Sequence, residues 1–104
     1  MIQVIKKLFG LGTKVDYDEL VKQGAVILDV RNEDEFNMGH IKGAVNIPLH
    51  SFNDNLVTLT EKDTPIVIYC VRGVRSAVAK KFLLSKGFLQ VYDAGNIDKL
   101  IHRL

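Results

Sequence analysis

The chain reads as an α/β protein built on a five-stranded, mainly parallel sheet with helices on both faces. Three observations predict this. Short, β-branched, largely apolar runs alternate with helix-spaced apolar segments along the chain. Those runs lack the strict in–out polar alternation of a half-solvated sheet, as strands covered on both faces do. Glycine and proline punctuate nearly every transition, at Gly24, Gly39, Pro48, Pro65 and Gly87.

The elements follow in order. Val15 opens the domain, and Asp16 with Glu19 three residues on forms a capping-box pattern that starts a short helix ending at Gly24. Ala25 to Val30 is a buried strand closed by Asp29 and Arg31, and Asn32 with Glu35 repeats the capping pattern for a helix that Gly39 stops. Ala44 to Ile47 is a strand ended by Pro48. Ser51 with Asp54 begins a helix carrying Phe52, Leu56, Val57 and Leu59, and Thr64-Pro65 leads into the strand Ile66 to Tyr69. A helix from Val74 to Lys86 carries Val74, Ala77, Val78, Phe82 and Leu83 at helical spacing, and Gly87 ends it. Leu89 to Tyr92 is the last strand, after which Asn96 caps a helix through Ile97, Leu100, Ile101 and Leu104. The sheet expected from this alternation has five strands, four of which these runs place.

Size and composition restrict the function. The 104 residues, 47% apolar and 25% charged, suffice for one core but not two. The expected organisation is a short amphipathic segment at residues 1–12 and a single domain at 13–104. In the former, Ile2, Val4, Ile5, Leu8 and Phe9 are interrupted by Lys6 and Lys7, too short a pattern for a signal peptide or membrane span. The net charge of +2 arises from scattered Lys and Arg, which suggests no nucleic-acid partner. A single cysteine excludes an internal disulfide, a Cys-x-x-Cys redox pair and a thiolate zinc cage. His50 and His102 lack partners at ligand spacing, so no metal is expected. A reducing cytoplasm is the expected compartment.

The chemistry concentrates at Cys70, which directly follows the strand and directly precedes Val71-Arg72-Gly73-Val74-Arg75-Ser76. A lone cysteine at a strand end is commonly a small buried hydrophobe. Two guanidinium groups flanking a glycine would be poor choices for a core turn, however, because they need water or anionic partners. The turn amides, the positive end of the following helix, Arg72 and Arg75 all favour thiolate over thiol, and the same donors suit an anionic substrate. In open sheets ligands gather beyond the carboxyl ends of the strands, where Asp29, Arg31 and the Cys70 loop are expected to project.

Three segments resemble a known family. They are Leu28-Asp29-Val30-Arg31 running to Glu35-Phe36, then Gly39-His40-Ile41-Lys42-Gly43-Ala44-Val45-Asn46-Ile47-Pro48, and then Tyr69-Cys70-Val71-Arg72-Gly73-Val74-Arg75-Ser76. Together they resemble a single-domain rhodanese, a sulfurtransferase, and the last is similar to that family's Cys-x-x-Gly-x-Arg active loop. The resemblance implies a rhodanese-like fold and makes Cys70 the nucleophile that holds a sulfane sulfur as a persulfide. It makes the amides of Val71, Arg72, Gly73, Val74, Arg75 and Ser76 the cradle for that sulfur, with Arg72 binding thiosulfate and Arg75 and Ser76 bracing the loop. Asp29 and Arg31 are implied to support the loop as an ion pair. Glu35 stands where the two-domain enzymes carry a second substrate-binding arginine, which implies a weaker grip on a sulfonate. The implied partners are a small anionic sulfur donor such as thiosulfate and a thiol, cyanide or protein acceptor, with no metal or organic cofactor.

Other readings remain. His40 could pair with the thiol as in cysteine proteases, but it sits in the segment that resembles a structural signature. Asp29 could act as an acid or base, although a carboxylate beside Arg31 is more often an ionised structural partner. A cysteine phosphatase or arsenate reductase would place an arginine six positions after the cysteine, where this chain has Ser76. A non-catalytic scaffold and a protein-to-protein sulfur carrier complete the alternatives.

Overall fold

The computed structural model describes residues 14–104, and the amphipathic segment expected at residues 1–12 lies outside them. The order is α1 (Tyr17–Lys22), β1 (Val26–Asp29), α2 (Glu33–Asn37), β2 (Val45–Asn46), two 3₁₀ turns (Leu49–Ser51 and Asp54–Thr58), β3 (Ile66–Cys70), α3 (Val74–Ser85), β4 (Val91–Asn96) and α4 (Ile97–Ile101). Helix starts follow the capping residues. The Asp16 carboxylate accepts the Glu19 N–H at 3.0 Å, the Glu35 carboxylate accepts the Asn32 N–H at 3.0 Å, and the Asn96 side chain accepts from Asp98 and Lys99.

The described sheet has four strands in the order β2-β1-β3-β4, every pair parallel, rather than the expected five. Beyond the two-residue edge strand β2 the chain coils into the 3₁₀ turns instead of extending. The helix expected from Ser51 through Leu59 is broken for a local reason. Phe52 and Asn53 are extended, and the Asn53 side chain accepts the Asn55 N–H at 2.8 Å, restarting the turn there. The last strand also begins later than Leu89, whose side chain is solvent-exposed, and runs on to Asn96. Its register shifts between Ile68 and Tyr69, so that Ala94 is passed over and Asn96 pairs with Cys70.

β3 is buried at every residue and divides the core by its alternation. Ile66, Ile68 and Cys70 pack with Leu28, Ala79, Leu83 and Phe88 on the α3 face, while Val67 and Tyr69 pack with Tyr17, Ile27, Ile41 and Leu100 on the opposite face. Central placement in a parallel sheet brings the carboxyl ends of β1 and β3 together, and Cys70 ends β3. Among the described residues no helix is long and apolar enough to cross a membrane.

Candidate active site

The turn at the carboxyl end of β3 runs through Gly73, which caps α3 in the left-handed conformation at φ 89°. A side chain is unfavourable at that φ, and glycine relieves the penalty. This bend aims the Gly73 N–H back at Cys70 Sγ, 2.9 Å away. The thiol donates to Ser76 Oγ at 3.4 Å, and that hydroxyl in turn donates to the Gly73 carbonyl at 3.1 Å. Ser76 is fully buried, so its hydroxyl fixes the first turn of α3 against the sulfur.

Cys70 is almost fully buried, yet it lines a pocket of about 370 Å³ with Glu35, Val71, Arg72, Val74 and Arg75. Cys70 thus sits between the apolar core and a cleft of mixed lining, in which Glu35, Arg72 and Arg75 stand beside Val71 and Val74. Of the six loop amides expected around it, that of Gly73 points at the sulfur. The first turn of α3 adds N–H groups that have no intrahelical acceptor. Arg72 is exposed on the wall and has no salt bridge among the described residues. Arg75 is held by Glu35 in a two-point pair, Nη1 to Oε1 at 2.7 Å and Nη2 to Oε2 at 3.1 Å. The Arg75 hydrogen bond, aided by the Asn32 N–H, lowers the Glu35 carboxyl from 4.5 to about 2.

Asp29 and Arg31 form the expected ion pair, fully buried and nearly so, with Nη2 2.6 Å from Oδ2. Its bonds lead away from the cysteine loop. Arg31 also donates to the Gly39 carbonyl at 2.7 Å and lies 5.5 Å from the centre of the Tyr69 ring. Neither residue lines the Cys70 pocket. The direct hydrogen bonds therefore go to the segment around Gly39 and not to residues 71–76, and the pair adjoins the loop through Tyr69, the residue before Cys70. Asn46 completes this brace by donating to the carbonyls of Asp29 and Arg31 at 3.0 and 2.9 Å. Tyr69 accepts the Ile41 N–H at 3.2 Å, and its phenol is held well above its usual range by burial and by the Asp29 carboxylate. His40 stacks on Phe36 at 3.7 Å with its Nδ1 2.9 Å from the Phe36 carbonyl, outside the pocket lining.

The Glu35–Arg75 pair is the part of the site that sequence reasoning missed. Its signal was present: opposite charges stand just beyond the carboxyl ends of two adjacent parallel strands. Among the described residues no group of three or more His, Cys, Asp or Glu side chains could hold a metal ion.

The model of the rhodanese-like domain matches residues 13–96, most of the chain and all of this site. The chain belongs to the rhodanese-like family. Thiosulfate sulfurtransferase GlpE of Ectopseudomonas mendocina is 36% identical over 74 residues, which are 71% of this chain and 67% of that protein. The tRNA uridine(34) hydroxylase of Hamiltonella defensa is 32% identical over 83 residues, but the rhodanese-like chain spans only 23% of its length. Among solved structures, a rhodanese with anions from E. coli aligns at a TM-score of 0.68 and 30% identity, covering 73% of this chain and 91% of that one. The human single-domain sulfurtransferase TSTD1, at 22% identity and a TM-score of 0.66, shares the fold and covers 85% and 91% of the two chains.

Proposed function

We propose that this rhodanese-like domain is a sulfurtransferase in which Cys70 carries the sulfur in transit. The single observation that supports this most is the Gly73 N–H directed at the Cys70 sulfur, in a residue that lines a pocket with Arg72 and Arg75. Relatives that bear the name thiosulfate sulfurtransferase make thiosulfate the first donor to consider.

The Cys70 thiolate attacks the outer sulfur of thiosulfate, and the S–S bond of the donor breaks. Sulfite leaves with the bonding electron pair, and Cys70 is left as a persulfide. A nucleophilic acceptor such as cyanide or a thiolate then attacks the terminal sulfur, which returns the thiolate. The protein's contribution is electrostatic: the Gly73 amide, the first turn of α3 and Arg72 hold anionic groups in line and stabilise charge on the departing one. A free thiol as nucleophile suits a reducing compartment.

Intact-mass measurement after thiosulfate treatment tests the reading. One added sulfur, removed by cyanide and absent in Cys70→Ala, is the expected result, and no mass gain in the native protein rejects it. Phosphatase chemistry fits less well, because Ser76 at the sixth position after Cys70 is engaged with Gly73 and the sulfur, and Arg75 is held by Glu35.

A protein-borne donor is a second reading, favoured by Val71, Val74 and Val78. All three are solvent-exposed, and the first two line the pocket itself. Faster loading from a cysteine desulfurase persulfide than from thiosulfate would select it.

A further inference from the structure

Glu35 comes from α2 and Arg75 from the first turn of α3, and both line the pocket above Cys70. Two guanidinium groups and one carboxylate therefore face the donor. The two-point bond to Arg75 and the Asn32 N–H keep that carboxylate ionised through the neutral range. In effect the Arg75 charge is answered from within the protein, and Arg72 alone among the pocket's cations is left to the donor. Repulsion by the Glu35 carboxylate grows in proportion to donor charge, so it acts twice as strongly on a dianion as on a monoanion. The brace behind α2 makes this a fixed feature, since Asp29, Arg31 and Gly39 anchor both ends of that helix.

We propose that Glu35 is a specificity-determining residue for donor charge, biasing the pocket toward singly charged sulfur donors and against doubly charged ones such as thiosulfate. The inference rests on the persulfide reading of Cys70. Its chemistry is unchanged by the donor. The Cys70 thiolate attacks the outer sulfur, and either sulfite or an organic sulfinate leaves with the S–S electron pair.

The test compares thiosulfate, a dianion, with p-toluenethiosulfonate, a monoanion that delivers its outer sulfur in the same way, by kcat/KM with cyanide as acceptor. In Glu35→Gln the value for thiosulfate rises about tenfold and that for p-toluenethiosulfonate about threefold, as expected when one screened unit charge is removed near the donor. The thiosulfate-to-thiosulfonate ratio therefore shifts about threefold. Glu35→Asp keeps the charge and retains the native ratio even if both rates fall. Arg75→Gln leaves Glu35 unanswered and moves the ratio the other way, which keeps the test available if Glu35→Gln does not fold. A purely structural role scales both donors alike, so an unmoved ratio in the Gln variants overturns the inference. If native Cys70 takes sulfur from neither donor, the persulfide reading is what fails.

Discussion

Arg72 and Arg75 lie three positions apart on either side of the Gly73 bend but carry different electrostatic loads. Arg75 is committed to Glu35, whereas Arg72 faces the pocket without a salt bridge among the described residues. The uncommitted guanidinium is the one able to form charge-assisted bonds to a donor. Arg72→Ala is therefore expected to raise the thiosulfate KM about three- to tenfold with a smaller fall in kcat, since most of its attraction is to the bound donor and a lesser part arises as charge develops on the departing group. Steady-state kinetics over a range of thiosulfate concentrations checks this, and an unchanged KM removes Arg72 from the donor site. That both arginines belong to an anion-binding loop was legible from their flanking of Gly73. Their division of labour was not, because Glu35 is 40 residues distant in sequence from Arg75.

At the level of elements, the Gly73 bend decides whether the sulfur has an amide donor. A Cβ at Gly73 would meet Gly95 Cα at 3.7 Å, an ordinary contact, so the penalty for Gly73→Ala lies in backbone conformation rather than space. The expected loss is about 1–2 kcal/mol of stability, read by chemical denaturation. Persulfide formation, followed by mass, slows more than stability falls, because the relaxed turn carries the amide away from Sγ. The existence of α3 was readable from its apolar spacing and from Gly87, but its inward face was not. Val74 and Val78 are exposed, while Ser76, Ala79 and Leu83 point inward. Small Ser76 and Ala79 allow the helix to lie close on β3 and β4, a requirement that hydrophobicity alone does not encode. The same limit applies to Ser51–Leu59, where the Asn53 side-chain cap overrode an apolar helical pattern.

Across the whole molecule, the Glu35–Arg75 pair ties the elements after β1 and β3 together and makes stability depend on acid. The Glu35 carboxyl is depressed from 4.5 to about 2, so its contribution is fully present above pH 4.5 and is lost as pH falls through about 2. A pair with roughly one-third of each side chain exposed contributes about 1 kcal/mol at most. Urea denaturation of Glu35→Gln beside the native protein is expected to show the difference above pH 4.5 and its disappearance near pH 2; a constant difference would exclude the pair as its source. The α/β class, the parallel strands, the caps at Asp16, Asn32 and Asn96 and the strand–cysteine–glycine loop were legible along the chain, because these depend on periodicity and on contacts a few residues long. The strand count, the faces of α3, the destination of the Asp29–Arg31 brace and the partner of Arg75 emerge only from the folded arrangement. Each of those is fixed by which segments the sheet order brings side by side, and charge or hydropathy along a chain carries no record of that neighbour.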